Sequence, residues 1–277
     1  MVTQATSVDG TTIGYRTTGG GPGLVVVHGA LQTSSGYEKF AELLADEFTV
    51  HVIDRRGREL SGPHTAEHSL KTEVEDVAAV VHQTGAQRVF GLSSGALIAL
   101  ETALTIPGIT HVAAYEPPIT APGLKQHVFE RFEKEVAAGK SAEAMVTILL
   151  GLEVGPRWLR LLPRPLLLAL TRKLAQDDEE DMVGLLPTAR YDFGIVNEGS
   201  KNLERFKELK ANTALLGGSK SARYLKDALA ILDGLIPHAT RTELRGADHG
   251  SPTEGPQLVV PELKKFLSSG SARARTR

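Results

Sequence analysis

Residues 88–105 read RVFGLSSGALIALETALT, and this stretch decides the fold of the chain. A mostly apolar run precedes Ser93, as in a strand buried on both faces of a sheet, and an apolar helical segment follows it. A serine at such a turn adopts a strained backbone conformation, so its neighbours must be small. Gly91 and Gly95 of the G-x-S-x-G pattern meet that need. The stretch predicts a serine hydroxyl held at a strand end, beside the N-terminus of a helix.

Outward from this turn, apolar strands alternate with helices on both sides. The predicted strands cover residues 24–27, 49–53, 88–92, 110–115, 213–216 and 240–244, and the predicted helices cover about 35–46, 70–84, 93 onward, 222–235 and 256–267. This alternation implies a parallel sheet with helices on both faces. At the N-terminus, alternating apolar residues around Asp9-Gly10 predict a hairpin between two edge strands.

The stretch from about 117 to 210 lacks a convincing strand and reads as helical. We therefore expect a core of residues 1–116 and 211–277 and a helical cap, or lid, of residues 117–210. Within the cap, residues 148–170 are long and apolar enough to suggest a membrane span, but three prolines and three arginines argue for two short helices that face a core or a pocket. The acidic run 177–181 reads as a solvated helix start or loop, and the tail 268–277 as disordered.

The composition narrows the class of function. Among 277 residues, 31 basic and 33 acidic side chains are intermixed with a formal net charge of −2, which gives no reason to expect nucleic acid or a membrane as a partner. Cysteine is absent, which excludes a disulfide framework, a thiolate nucleophile and a Cys-ligated metal. The first ten residues do not resemble a secretory signal, so we expect a cytoplasmic monomer or homodimer that binds a small molecule.

A serine hydroxyl needs an adjacent base to act as a nucleophile, and that base is normally a histidine. Of nine histidines, His249 stands out because it follows the last predicted strand in a glycine-flanked loop. Such a loop presents an imidazole over the carboxyl edge of the sheet. Seven others are expected to be structural or exposed, namely His51, His64, His68, His82, His111, His127 and His238.

Ser93 followed by His249, together with His28-Gly29 and the run DRRG at 54–57, resembles the α/β-hydrolase family over most of the chain. The resemblance implies a mostly parallel, doubly wound sheet with an inserted helical lid. It also implies an oxyanion hole formed by the backbone N–H groups of Ala30 and Ser94. His28 is expected to brace loops at its strand end. One departure lies in the D-x-R-G-x-G-x-S loop, where Glu59 replaces the second glycine.

The acid of the triad is a second departure. Family members commonly carry it after the strand that follows the lid, where residues 216–221 read LGGSKS and hold no carboxylate. Some members, the haloalkane dehalogenases among them, carry it one strand after the nucleophile, and Glu116 occupies that position. Pro117 should hold Glu116 in extended geometry. The alternative is that Glu116 only supports the lid junction, and the weaker rival acids are Asp192, Asp227 and Asp248.

These residues predict a serine hydrolase, without cofactor or metal, that cleaves an ester, lactone or thioester of a mostly apolar small molecule through an acyl-serine intermediate. Two alternatives keep the fold: a biosynthetic enzyme for acyl transfer, cyclisation or C–C bond cleavage, and a small-molecule receptor. The apolar residues of the lid either line a greasy cavity or pack the lid on itself. They are Phe129, Phe132, Leu149, Leu150, Leu152, Trp158, Leu159, Leu161, Leu162, Leu166, Leu167 and Leu168.

Overall fold

One sheet of eight strands organises the computed structural model, which describes residues 1–119, 126–153, 157–175 and 184–269. The strands are β1 Val2–Thr6, β2 Thr12–Thr18, β3 Gly23–Val27, β4 Thr49–Ile53, β5 Arg88–Leu92, β6 His111–Tyr115, β7 Asn212–Gly218 and β8 Thr240–Leu244. Their order in the sheet is β1-β2-β4-β3-β5-β6-β7-β8. The β1–β2 and β2–β4 pairs are antiparallel and the remaining pairs are parallel, so the predicted mostly parallel, doubly wound sheet is confirmed.

Helices cover both faces of the sheet because neighbouring residues on each central strand point to opposite sides. In β3, Val25 and Val27 pack into one apolar cluster while Leu24 and Val26 pack into another. The first cluster is completed by α2 Leu70–Thr84, α3 Ser94–Thr105 and α8 Arg223–Leu235. The second is completed by α1 Glu38–Leu44 and α10 Val260–Leu267. A short helix, α9 Ser251–Glu254, precedes α10.

The N-terminal hairpin corrects one prediction. β1 and β2 pair around a turn in which Gly10 has a φ of 87°, as the Asp9-Gly10 sequence indicated. However, β2 also pairs with β4 on its other side, so β1 alone of the two is an edge strand. The hairpin was expected to have two edge strands because its sequence carries no sign of which strand joins the parallel sheet.

The described part of the chain between β6 and β7 contains helices joined by loops and no strand. It contains α4 Gln126–Ala137, α5 Ser141–Gly151, α6 Arg164–Ala175 and α7 Ala189–Gly199, with short 3-10 turns at Arg157–Leu161 and Leu186–Thr188. A further 3-10 turn, Leu203–Glu208, leads into β7. The division into a core of 1–116 and 211–277 and a cap of 117–210 stays a prediction. The acidic run 177–181 lies outside the described residues.

The apolar residues of the cap do not all face inward. Leu167 of α6 is buried, at 2% exposure, but Trp158, Leu161 and Leu166 are 58%, 84% and 52% exposed. For these three residues the expectation that they line a cavity or pack the lid on itself is therefore wrong, because apolar content alone does not determine which side of a segment is buried. No helix in the described ranges combines the length and the apolarity that crossing a bilayer requires.

Two residues of the predicted disordered tail, Ser268 and Ser269, are ordered. Ser268 and Ser269 form a turn after α10, in which the Ser269 N–H donates to the Phe266 carbonyl at 3.1 Å. The Ser269 carbonyl in turn lies 2.8 Å from Nε2 of His111 on β6. These contacts fix two residues that composition alone grouped with the basic tail, while residues 270–277 lie outside the described part of the chain.

Candidate active site

Ser93 lies at the sharp turn between β5 and α3. Its φ of 56° and ψ of −123° belong to a strained conformation that costs about 1–3 kcal/mol, and its N–H donates to the Tyr115 carbonyl at 2.9 Å. The two flanking glycines allow close backbone contacts. A Cβ on Gly91 would lie 2.1 Å from the Gly95 carbonyl oxygen, and a Cβ on Gly95 would lie 2.3 Å from the Val27 carbonyl oxygen. The turn thus exists only because both neighbours lack a side chain.

Glu116 follows β6 directly and is fully buried. Its Oε1 accepts the Gly218 N–H at 2.6 Å, and its Oε2 lies 2.7 Å from Nδ1 of His249. The backbone corrects the prediction of extended geometry before Pro117: the φ of Glu116 is 49°, in the left-handed region. The hydrogen bonds of the carboxylate, together with the bond from its own N–H to the Leu216 carbonyl at 3.0 Å, offset this local preference.

His249 lies in the loop between β8 and α9 and is partly exposed, at 22% of its side chain. The Tyr115 hydroxyl donates to the Asp248 carbonyl at 2.6 Å and so ties this loop to β6. A carboxylate only accepts hydrogen bonds, so in the neutral imidazole the Nδ1–H group of His249 donates to Glu116, and Nε2 keeps the lone pair that a base needs. The structure therefore brings together His249 and Glu116, two of the predicted site residues.

The rival acids do not face His249. The Asp248 carboxylate accepts from the Ser251 hydroxyl at 2.8 Å, and Asp227 pairs with Arg223 on the exposed side of α8. Asp192 contacts Arg55, Arg58 and Ser94. Among the described residues, Glu116 is thus the carboxylate that contacts the imidazole of His249.

The predicted oxyanion-hole residues flank Ser93. A Cβ built on Gly29 would lie 3.2 Å from Cβ of Ser93, so the loop that carries Ala30 passes close to the serine. Ala30 follows Gly29, and Ser94 opens α3. Within the described part of the chain, the backbone N–H groups of Ala30 and Ser94 have no intramolecular acceptor. The N-terminus of α3 adds a partial positive charge at this position.

His28 braces the loops beneath the site, as predicted. Its Nδ1–H donates to the Gly29 carbonyl at 2.8 Å, and its Nε2 accepts the Arg55 N–H at 3.2 Å. Both ring nitrogens are thereby used in the neutral form. Burial, followed by the nearby charges of Arg58 and Arg55, lowers the pKa of His28 to about 3. A neutral, fully bonded imidazole has no free nitrogen to act as a base.

A cluster of buried charges beneath Ser93 was missed by the sequence analysis. This elbow ion cluster consists of Arg55, Arg58, Glu73 and Asp192, all of them buried. Burial alone would raise the pKa of the Asp192 carboxyl, but the cations of Arg55 and Arg58 outweigh it and the pKa is lowered. Arg55 and Arg58 occupy the two variable positions of the D-x-R-G-x pattern at residues 54–58. Buried arginines need anionic partners, but the sequence does not indicate which acidic residues these are.

An apolar group of residues from the chain between β6 and β7 lies next to the loop that carries Gly29 and Ala30, here called the oxyanion loop. Phe132, Ala144, Ile148, Leu186 and Ala189 form a buried cluster, and Leu31, which directly follows Ala30, packs against it. Phe193 of α7 joins the same cluster and contacts Phe129 with ring centroids 4.0 Å apart. Within the described residues, no group of three or more His, Cys, Asp or Glu side chains is placed to hold a metal ion.

Curated relatives match part of the chain. The uncharacterized hydrolase YraK of Bacillus subtilis (strain 168) is 32% identical over 123 residues, which are 40% of this chain and 43% of the relative. The pimeloyl-(acyl-carrier protein) methyl ester esterase of Stenotrophomonas maltophilia (strain R551-3) is 32% identical over 128 residues, which are 44% of this chain and 48% of the relative. The chain thus matches less than half the length of these relatives.

Solved structures match almost the whole chain. An alpha/beta hydrolase from Sphaerobacter thermophilus DSM 20745 has a TM-score of 0.80 at 30% identity and covers 96% of this chain and 100% of its own. The enol-lactonase from Burkholderia xenovorans LB400 has a TM-score of 0.76 at 18% identity with coverages of 96% and 100%, which shows a shared fold. The model of the alpha/beta hydrolase family matches residues 24–262. With this match, the sheet order and the turn at Ser93, the chain belongs to the alpha/beta hydrolase family.

Proposed function

We propose that the protein is a serine hydrolase that cleaves an ester, lactone or thioester of a mostly apolar small molecule through an acyl-serine intermediate, with no cofactor. Ser93 is the nucleophile, His249 the base and Glu116 the acid that orients the base. The observation that carries this proposal is the 2.7 Å contact between Nδ1 of His249 and Oε2 of Glu116 at the strand edge where Ser93 sits on its strained turn.

The reaction follows from these roles. Oγ of Ser93 attacks the substrate carbonyl while Nε2 of His249 takes the hydroxyl proton, and Glu116 stabilises the imidazolium that forms. The carbonyl oxygen becomes an oxyanion that accepts hydrogen bonds from the N–H groups of Ala30 and Ser94. The imidazolium then donates its proton to the leaving oxygen or sulfur. Water, deprotonated by the same imidazole, attacks the acyl-serine. The bond between the acyl carbon and Oγ of Ser93 then breaks, the imidazolium returns its proton to Oγ, and the acid is released.

The class of substrate is supported by the surroundings of the oxyanion loop. Leu31, next to Ala30, packs against the apolar cluster around Phe132, and we take this cluster as the apolar wall of the substrate site. An apolar acyl or alkyl chain gains about 25 cal/mol per Å² of surface that it buries on such a wall. The relative from Stenotrophomonas maltophilia, named as a methyl ester esterase, is in keeping with an ester substrate.

Two measurements test the proposal. The purified protein is expected to hydrolyse p-nitrophenyl esters, with a kcat/KM that rises as the acyl chain lengthens over the apolar wall. A fluorophosphonate probe is expected to add mass to the peptide that contains Ser93. The matched variant Ser93→Ala should lose both the activity and the label.

Several outcomes would contradict the proposal. A folded protein that is never labelled, or a label that persists in Ser93→Ala, would overturn the role of Ser93. An acyl group that passes from the ester to an added alcohol or amine, with no free acid, would replace hydrolysis by acyl transfer. Retention of full activity in His249→Gln would remove the proposed base.

A further inference from the structure

The side chain of Ser94 is fixed by two charged partners. Ser94 directly follows Ser93 and is 1% exposed. Its hydroxyl donates to Oδ1 of Asp192 at 2.8 Å and accepts from Nη1 of Arg55 at 3.1 Å. The hydroxyl is therefore fully occupied in one orientation, and the first turn of α3 is attached to groups outside its own helix.

Those two partners come from distant parts of the chain. Asp192 belongs to α7, between β6 and β7, and its two oxygens accept from Nη1 of Arg55 at 2.5 Å and from Nη2 of Arg58 at 2.7 Å. Arg55 follows β4 and also forms two hydrogen bonds with Glu73 of α2, at 2.9 and 2.6 Å. The elbow ion cluster carries two cations and two anions, so its charge is balanced without solvent.

We propose that Asp192 and Arg55 are positioning residues for the oxyanion hole: by holding the Ser94 hydroxyl they fix the direction of the Ser94 N–H. This inference rests on the proposed function. An oxyanion donor is effective only when it is aligned before charge develops, because realignment during the reaction would cost energy. A shift of the first turn of α3 would misalign the Ser94 N–H and lower the rate without removing any reacting group.

The chain contains a matched control for this arrangement. The Ser7 hydroxyl donates to Oδ1 of Asp76 at 2.5 Å and accepts from Nη2 of Arg56 at 3.4 Å, and Nε of Arg56 donates to Oδ2 of Asp76 at 2.7 Å. This second group has the same serine, aspartate and arginine, and all three residues are buried. Ser7 follows β1, which lies at one end of the sheet order, whereas β8, the strand before His249, lies at the other end.

The deciding variants are Ser94→Ala and Ser7→Ala, each of which deletes one buried hydroxyl and retains every charge. In Ser94→Ala we expect kcat for a p-nitrophenyl ester to fall about 10- to 100-fold, with KM changed less than about threefold. In Ser7→Ala we expect kcat within about twofold of the unmodified protein. The midpoint temperature of thermal unfolding should fall by similar amounts in both variants. A difference in kcat between them then reports positioning and not a general loss of stability.

A second readout responds to the oxyanion hole and not to stability. An alkyl trifluoromethyl ketone adds to the Ser93 oxygen and places an oxyanion where the Ala30 and Ser94 N–H groups point. Its inhibition constant should rise about tenfold or more in Ser94→Ala and stay unchanged in Ser7→Ala. Asp192→Asn, compared with Asp76→Asn, should show the same difference in kcat if it folds. If it does not fold, Ser94→Ala decides the question.

The outcomes separate this inference from the proposed function. If the unmodified protein hydrolyses esters and is labelled at Ser93, but Ser94→Ala and Ser7→Ala have equal kcat and equal affinity for the ketone, then the positioning role is wrong and the function stands. If the unmodified protein neither hydrolyses esters nor reacts with the probe, the proposed function itself is wrong.

Discussion

Oε2 of Glu116 lies 2.7 Å from Nδ1 of His249, and 133 positions of the chain separate the two residues. The contact joins the end of β6 to the loop after β8, with β7 between them in the sheet.

The first prediction concerns the contact between Glu116 and His249. In Glu116→Gln the shape is kept, but the anion that holds the tautomer and stabilises the imidazolium is lost. We expect kcat for a p-nitrophenyl ester to fall roughly 10³- to 10⁴-fold. Asp227→Asn on the exposed side of α8 is the control, and equal activities in the two variants would contradict the assignment of Glu116.

The second prediction concerns the turn at Ser93. In Gly95→Ala the new Cβ would lie 2.3 Å from the Val27 carbonyl oxygen, so the turn must move. We expect the free energy of unfolding to fall by about 3 kcal/mol. Gly234→Ala in α8 is the control, because its Cβ meets no atom within 4 Å and a helical alanine gains up to about 1 kcal/mol over glycine. Urea unfolding measures both, and a Gly95→Ala protein as stable as Gly234→Ala would refute the close contact.

The third prediction concerns pH. The pKa of His28 is lowered from 6.5 to about 3, first by burial and then by Arg58 and Arg55. Between these pH values the unfolded chain binds a proton that the folded protein does not, so the free energy of unfolding is highest above pH 6.5 and falls as the pH drops toward 3. In His28→Gln the slope over this window should decrease by up to about 1.4 kcal/mol per pH unit.

The measurement for this prediction is urea unfolding at several pH values from 4 to 7. His64, whose pKa is lowered to about 3 by burial, His68 and Arg58, contributes with the same sign, so some slope remains in His28→Gln. His82→Gln, on the exposed side of α2, is the control for removal of a histidine. An identical slope in the unmodified protein and in His28→Gln would show that His28 does not contribute.

The fourth prediction concerns the cap. Leu167→Ala removes a side chain that is 2% exposed, and we expect it to lower the free energy of unfolding by about 2–4 kcal/mol. Leu161→Ala removes one that is 84% exposed, and we expect a change within about 0.5 kcal/mol and an unchanged preference among ester chain lengths. A change of chain-length preference in Leu161→Ala would indicate that this residue faces the substrate.

The sequence predicted those parts of the fold that depend on local pattern. The predicted bounds of β4, β5 and β8 coincide with the strands of the structure, because each is an apolar or alternating run between polar loops. The start of α2 was also predicted, since Ser69 accepts the Thr72 N–H as its N-cap. The pairing of Glu116 with His249 followed from the resemblance to α/β-hydrolases that carry the acid one strand after the nucleophile, because the loop at 216–221 lacks a carboxylate.

The features of the structure that the sequence did not predict depend on contacts between distant residues. The left-handed backbone of Glu116 opposes its local preference before proline, and the hydrogen bonds that stabilise it come from Gly218 and His249. The role of Asp192 depends on Arg55, 137 positions away. The exposure of Leu161 depends on which face of a short amphipathic segment meets the rest of the cap, and leucine content alone does not determine that face.

The pairing of β5 with β6 has a consequence for how the chain tolerates insertions. Leu92 lies opposite Tyr115, so the residues that follow them, Ser93 and Glu116, are held at a separation that the ladder between the two strands determines. One extra residue within β6 would turn Glu116 to the other face of the sheet, whereas one extra residue in the connection before β6 would leave it in place. The spacing of Ser93 and Glu116 is thus determined by strand register, so the surrounding loops can change in length while these two strands cannot.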